Sequence, residues 1–491
     1  HGDSTILLLI LNWASKYNLR MARRFIFLLI LVILALAAGA IYWFGTPRLV
    51  DFSPEDTQLD ISPDRILQIR FSRPMRTDEV ISRLQISPAV PGSYRWEGNR
   101  LEFVPAGRWP AGATIRVRLA SGARAAGWLS LPVTQPAEWV FTIRRPRLLY
   151  LYPSNQASNL YLYNPREEKA QPITSLLGGI LEYDATRDGS AVYYSTENSQ
   201  GGSDIYRLAL DSLEANLVLA CPQDKCRAPR ASPSEQFLAY ERTAPVGGAE
   251  PDYPQVWWVP LVRSETPASA QVSANPSAAR RAGDPLHQTL QPDWSSQNVL
   301  SFYDTNQQAF ILLAPLSGQS TSLPNQTGEP GGWTPDGLAY LAPEIFFNTG
   351  GSPETVPELR PVASSHLLRF SLEDGSITDL TKVESLEDTA PLYSPDGEWI
   401  AFARKYLDIN RWTPGRQLWL MRQDGSDARQ LTNQPDFNHY GFSWDPDGKL
   451  LAFVRFDQTA PANLPAVWVY DLDLEFESEL AVGGYAPRWI P

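Results

Sequence analysis

The sequence is poor in the residues that build metal and redox centres. Two cysteines and four histidines in 491 residues leave little material for zinc, haem or iron–sulfur ligation, so no cofactor and no metal site is expected. Bases are also in short supply. Lys and Arg number 42 against 54 Asp and Glu, a net charge of −12, which argues against a phosphate-binding surface and hence against nucleic acid as a partner. The six lysines against 36 arginines read as genome composition rather than function. Nucleotide-binding and hydrolase signatures are absent: there is no P-loop, no G-x-G-x-x-G and no G-x-S-x-G elbow. No catalytic residue is assigned, and the chain is not expected to be an enzyme. Past the N-terminal segment the histidines are His287, His366 and His439, read as solvated or edge residues, with His439 just ahead of a strand.

What is present is apolar, aromatic and rich in turns. Hydrophobic residues make up 43% and charged residues 20%, with 16 Trp and 42 Pro, a folding composition with few long helical patterns. The expected class is all-β.

One apolar run stands apart. Residues 25–44 (FIFLLILVILALAAGAIYWF) are uninterrupted by charge, long enough to cross the ~30 Å hydrocarbon core as a helix. Lys16, Arg20, Arg23 and Arg24 precede it, which places the N-terminus in the cytoplasm and the bulk of the protein outside it, extracellular or periplasmic. The competing reading is a cleaved signal peptide, since Ala38-Gly39-Ala40 fits a small-residue cleavage site. Under the anchor reading, residues 1–24 form a short cytoplasmic segment. Met21 resembles a natural start, and residues 1–20 receive no function.

From 50 to 146 the chain alternates apolar and polar residues in short runs, such as 66–71 (ILQIRF), 100–104 (RLEFV), 114–119 (TIRVRL) and 139–143 (WVFTI). Period two with one buried face is the strand signal, and the runs suggest a β-sandwich. The pieces 69–75 (IRFSRPM), 96–105 (WEGNRLEFVP), 109–112 (WPAG) and 140–143 (VFTI) resemble the bacterial Ig-like domain of the SbsA type. That resemblance implies a spacer or adhesion module at a cell surface, with Phe71, Pro74 and Met75 packing a core and no site of its own.

From 147 to the end a unit repeats: an aromatic, Ser, Thr or Asp, then Pro-Asp-Gly and a short apolar run. Three clear copies are 393–397 (YSPDG), 444–448 (WDPDG) and 333–337 (WTPDG); weaker copies begin near Asp184, Ala231 and Asp293. Each is followed by a further strand, such as 255–258 (QVWW), 418–420 (LWL) or 467–470 (VWVY). About four strands every 40–60 residues is a propeller-blade pattern, and these residues resemble TolB-type and WD-type β-propeller repeats. Residues 148–163 lack a first strand, whereas 486–490 (APRWI) look like a lone one. Pairing the two ends would close a ring of seven blades, with six as the alternative.

The Asp-Gly pairs suit two-residue turns needing positive φ, and the second-to-third-strand connections on the opposite face are long: 243–254, 343–365, 405–415 and 457–465. Long loops on a rigid scaffold are where binding concentrates. They carry Tyr253, Phe346, Phe347, Tyr406, Arg411 and Trp412, aromatics with an Arg that suit an interface; the competing reading folds them back over blade edges. A further excursion, 264–285, rich in Ala, Ser and Pro, is expected to be mobile. Asp445, Asp447 and Gly448 resemble a fragment of a calcium loop but lack the remaining ligands. Cys221 and Cys226 are close enough in sequence to form a disulfide outside the cytoplasm.

The combined expectation is a single-pass membrane protein with an Ig-like spacer and a propeller that binds a protein or another component of the cell envelope. The alternatives are an accessory subunit of a larger membrane complex, and a propeller hydrolase or lyase with acidic residues in its central channel.

Overall fold

The computed structural model describes residues 24, 26–37, 39, 42, 45–63, 65–128, 130–165, 167–248, 250–263, 271–348 and 362–491. Residues 26–37 are helical, and among the described residues no helix is long and apolar enough to cross a membrane. Residues 25, 38, 40, 41, 43 and 44 of the expected span lie outside the described residues. The chain divides into two compact units, His1–Arg144 and Arg145–Pro491.

In the first unit the strands are β1 (Leu49–Ser53), β2 (Gln58–Ile61), β3 (Leu67–Phe71), β4 (Leu84–Ser87), β5 (Gly92–Glu97), β6 (Arg100–Pro105), β7 (Thr114–Leu119) and β8 (Ala137–Ile143). They form two sheets, β1-β3-β6-β5 and β2-β8-β7-β4. In β7 the alternation is literal: Ile115, Val117 and Leu119 are buried while Thr114, Arg116 and Arg118 face water. The core between the sheets holds Phe71, Met75, Leu101, Trp109, Trp139 and Phe141. Trp109 is buried without cost to its polar atom, because the indole N–H donates to the Arg65 carbonyl at 2.7 Å.

The second unit is a β-propeller built from consecutive antiparallel strands. One sheet contains β12 (Glu182–Ala185), β13 (Ala191–Glu197), β14 (Ser203–Ala209) and β15 (Ala215–Leu219); the next contains β16 (Lys225–Ala231), β17 (Phe237–Thr243) and β18 (Gln255–Arg263), with β19 (Val272–Ala274) and β20 (Arg280–Arg281) both pairing β18. These are followed by β21 (Thr289–Trp294), β22 (Leu300–Asp304), β23 (Ala309–Ala314) and β24 (Gln319–Pro324); then β25 (Gly332–Trp333), β26 (Ala339–Asn348), β27 (Val362–Ser371) and β28 (Ile377–Asp379). After them come β29 (Leu386–Tyr393), β30 (Trp399–Tyr406), β31 (Gln417–Arg422) and β32 (Arg429–Gln430), and finally β33 (Phe437–Trp444), β34 (Leu450–Asp457), β35 (Ala466–Asp471) and β36 (Phe476–Val482). The last strand, β37 (Tyr485–Ile490), pairs β9 (Arg147–Tyr152), which continues through β10 (Asn159–Asn164) to β11 (Lys169–Pro172). The C-terminal strand thus completes the N-terminal sheet of the same unit. Single parallel bridges, Ser203 to Lys225 and Ser365 to Glu387, join neighbouring sheets.

The Pro-Asp-Gly segments turn the first strand into the second, but not as two-residue turns. Ser394 N–H donates to the Trp399 carbonyl and Gly397 N–H to the Ser394 carbonyl, so four residues bridge the strands and only the third, Gly397 at φ 75, is left-handed. The Ser394 hydroxyl accepts the Trp399 N–H at 3.0 Å and donates to Asp396. Thr334 and Thr186 repeat this arrangement with Ala339 and Ala191. A side-chain acceptor at the turn's first position replaces backbone partners that a tighter turn would supply. Residues 264–270 of the excursion at 264–285 lie outside the described residues; those that follow include β19 and β20, which pair with β18.

Candidate functional site

The first strand of each propeller sheet is innermost, and five of these strands carry the same irregularity. Register slips by one residue in β16, β21, β29, β33 and β37. Each slip contains a left-handed residue: Ala228, Gln291, Ala390, Gly441 and Ala486. In four of the five the next residue is proline: Pro229, Pro292, Pro391 and Pro487. Proline has no N–H to offer a ladder, so it fits a bulge, where pairing is interrupted and the strand bends.

Two residues beyond the bulge lies one registered level of the hub. At that level β37 presents Arg488, β16 Arg230 and β21 Asp293, and the corresponding residue of β12 is Asp184. β25, β29 and β33 contribute Gly332, Leu392 and Ser443. Charge therefore alternates over four successive inner strands and is absent from the other three. Arg488 pairs with buried Asp184. Arg230 donates to the carbonyls of Pro229 at 3.0 Å and Tyr183 at 3.4 Å. Tyr183 donates to the Ala486 carbonyl at 2.6 Å. Asp293 has no cation within 4.0 Å among the described residues. Burial pushes its carboxyl above the usual range, opposed by Arg230 and Arg488 and reinforced by Asp184. Close by, Glu182 accepts the bulge N–H of Ala228 and Glu241 that of Gln291.

The loop-face residues fall into separate groups. Tyr406, Arg411 and Trp412 come together: the Arg411 guanidinium lies 3.8 Å from the Tyr406 ring centre and pairs Asp408, while Lys405 stands 5.6 Å from the Trp412 ring. Phe346 and Phe347 are strand residues rather than loop residues, because the β26–β27 hairpin stays paired out to Asn348 and Val362. Phe346 stacks on His366 at 4.8 Å; Phe347 is exposed. Tyr406 likewise ends β30. Tyr253 folds back, its hydroxyl donating to the Leu286 carbonyl at 2.7 Å.

Two of the three histidines, His439 and His366, are buried rather than solvated or at an edge. His439 is fully buried in β33, and its Nδ1–H donates to the Arg416 carbonyl at 2.8 Å; burial lowers its pKa to about 4. His366 is buried with Nδ1 bonded to Asp379, and half-buried His287 pairs the fully buried Asp304 in the same way. Asp445 is a turn residue. Its Oδ1 accepts the N–H groups of Lys449 and Leu450, and burial raises its pKa to about 6. Among the described residues no group of His, Cys, Asp and Glu could hold a metal. Cys221 and Cys226 form a disulfide, on the side of the unit where the long connections lie.

A second repeat escaped the sequence reading. Arg242, Arg404 and Arg455, near the ends of the second strands, lie over Trp257, Trp419 and Trp468 of the third strands. Each Arg also meets a carboxylate: Asp224, Asp388 and Glu477 respectively. The available signal was an Arg two residues after an aromatic, at Tyr240, Phe402 and Phe453. The hub charges had a signal too, lying two residues ahead of the turn's Ser or Thr in Asp184, Arg230 and Asp293.

Comparison with known proteins agrees with this architecture. Residues 45–143 match the family model described as a bacterial Ig-like domain. An uncharacterised protein of Agrobacterium fabrum is 28% identical over 134 residues, a match that covers 26% of this chain and 35% of that relative. Among solved structures, TolB from Acinetobacter baumannii covers 91% of this chain and 99% of its own, at 13% identity and a TM-score of 0.40. The β-propeller domain of the trilobed protease from Pyrococcus furiosus covers 76% and 93%, at 10% identity and a TM-score of 0.43. A prolyl endopeptidase covers 68% of this chain and 48% of its own, at 11% identity and a TM-score of 0.48. At such scores the propeller assignment rests on the strand pairing itself.

Proposed function

We propose that the second unit is a closed seven-bladed wheel that binds a protein or another envelope component through the face bearing its second-to-third-strand connections. The observation that carries this reading is the apolar surface at those connections. Phe347, Ile409 and Trp412 are 61%, 94% and 55% exposed, beside the Arg411–Tyr406 stack, and Val246, Leu286 and Leu464 are exposed on the same side. Exposed apolar side chains with aromatic and Arg anchors are the composition of an interface core. The turns of the opposite face expose Leu213, Leu316 and Leu474, and an Arg422–Trp399 stack at 3.9 Å lies on that side.

Residues 25–44 would tether the chain to the membrane and hold both units outside the cytoplasm, with the Ig-like unit as spacer. The supporting feature is the charge-free run of residues 25–44 behind four basic residues.

The test is the double variant Arg411→Ala with Trp412→Ala in the full chain, with partners captured from native membranes. Loss of a partner at unchanged melting temperature supports the reading. An unchanged set of partners removes its basis. A second reading, a hydrolase or lyase working from the hub, is favoured by Asp293, a carboxyl without an ion pair whose pKa is raised.

A further inference from the structure

The Ig-like unit holds one indole out in solvent. Trp109 and Trp139 are each 1% exposed, whereas Trp128 is 91% exposed. It stands at the tip of a hairpin, Gly122–Val133, in the connection from β7 to β8. The base of the hairpin is fixed. The Val133 N–H donates to the Ala123 carbonyl at 2.7 Å and the Ala125 N–H to that of Leu131 at 3.0 Å. Ala123, Ala125 and Val133 are buried in the core of the sandwich.

The turn after β3 joins this hairpin to the end of the apolar run. On one side Arg73 donates to the Gly45 carbonyl at 2.8 Å. Beside it the Ser72 N–H donates to the Arg48 carbonyl at 2.9 Å, and the Arg48 N–H to the Ser72 hydroxyl at 3.0 Å. On the other side the Ala126 N–H donates to the Pro74 carbonyl and the Arg76 N–H to the Arg124 carbonyl, both at 2.9 Å. Gly45, Thr46 and Pro47 are buried, so the chain enters the unit on a fixed path. Five successive residues, 72–76, thus put Trp128 at the same end of the sandwich as the exit of residues 25–44.

That end is also basic. Its connections carry Arg48, Arg73, Arg76, Arg83, Arg100 and Arg124 against Asp78, Glu79 and Glu97, in a chain whose net charge is −12. Cations near a lipid surface are drawn to anionic headgroups. An indole belongs at that depth, where its ring leaves water and its N–H keeps a polar partner.

We propose that Trp128 is seated in the headgroup layer of the bilayer, a second contact that stands the Ig-like unit on the membrane by its basic end. The proposal rests on the reading of residues 25–44 as a membrane tether. It adds that the unit is held against the lipid and does not swing freely from its anchor.

Power-saturation EPR of the full chain in vesicles of phosphatidylcholine and phosphatidylglycerol tests this, with oxygen and a nickel chelate as relaxants. Cys221 and Cys226 are joined to each other, so a nitroxide goes to one introduced thiol at a time: Ala35→Cys, Ala106→Cys or Ala126→Cys. Ala126 is exposed beside the intact Trp128, and Ala106 is exposed past the far end of β6. The expected result is a deep label at 35, an interfacial label at 126 shielded from nickel, and an aqueous label at 106. Adding Trp128→Ser should return the label at 126 to water. An aqueous label at 126 with a deep one at 35 overturns this proposal and leaves the tether standing. An aqueous label at 35 overturns the tether and the proposal with it. Equal shielding at 106 and 126, or a label at 126 indifferent to Trp128→Ser, also overturns the contact.

Discussion

The Tyr193 hydroxyl donates to the Glu235 carboxylate at 3.0 Å, tying β13 to the turn between β16 and β17 in the neighbouring sheet. Glu235 occupies the left-handed turn position at φ 48, where four sister turns have glycine: Gly189, Gly337, Gly397 and Gly448. Backbone strain of about 1 kcal/mol is accepted there because the carboxylate gathers Tyr193, Arg207 and Arg263. Glu235→Gly therefore relieves the turn but strands a buried hydroxyl and the half-buried Arg207 guanidinium. The expected net effect is destabilisation of about 2 kcal/mol, since removing one partner of a buried ion pair costs more than the strain returns. Chemical denaturation of the full chain measures it; a more stable Glu235→Gly protein would contradict the clamp.

The hub bulges lead to a change of the opposite sign. Ala228, Ala390 and Ala486 sit at φ 46, 51 and 50, a region in which a Cβ costs about 1 kcal/mol. Gly441 already occupies the equivalent place in β33 at φ 64. Ala390→Gly is expected to raise the melting temperature, the strain relief outweighing the extra entropy of the unfolded glycine. A lower melting temperature would mean that the Ala390 methyl packs in a way the strain does not outweigh.

Two buried groups of β33 and its turn pull stability in opposite directions with pH. Asp445 has a folded pKa raised from 3.8 to about 6. Its contribution is present below the unfolded value and is lost as pH rises from about 4 to 6. His439 has a folded pKa lowered from 6.5 to about 4. The unfolded chain takes up this proton first, so its contribution is present at neutral pH and is lost as pH falls from about 6.5 to 4. Each amounts to roughly 3 kcal/mol, and together they nearly cancel. Asp445→Asn keeps an oxygen for the Lys449 and Leu450 N–H groups and should raise stability at pH 7. Its stability should then climb more steeply with pH between about 4 and 6 than that of the parent protein. His439→Asn should show the reverse slope from a lower baseline, because stacking on Phe453 is lost. Melting curves across this range check both signs.

Much of the propeller was legible because its turns announce themselves. Ser394-Pro-Asp-Gly397 and Thr334-Pro-Asp-Gly337 combine a hydroxyl cap with a glycine that φ requires, and the lone Ala486–Ile490 strand found its partner in β9. The turn type was misread because the hydroxyl cap, not a second left-handed residue, closes the hairpin. The bulges were invisible because Ala390-Pro391 reads as an ordinary strand interruption, while its meaning lies in the register with Thr389 and Leu392. The burial of His439 is not legible, because a polar residue gives no sign that a carbonyl such as that of Arg416 awaits it inside a sheet. Phe346 and Phe347 read as part of a connection at 343–365, whereas the register pairs Pro343 with Leu367 and continues through both phenylalanines.

The scarcity of lysine makes the loop-face claim directly measurable. Lys225, Lys382 and Lys405 lie at the ends of strands or connections on the proposed binding face; Lys169 and Lys449 lie at turns of the opposite face. Lysine-reactive cross-linking mass spectrometry on native membranes should therefore join a partner to Lys225, Lys382 or Lys405 and leave Lys169 and Lys449 unlinked. Partner links confined to Lys169 and Lys449 would contradict the account.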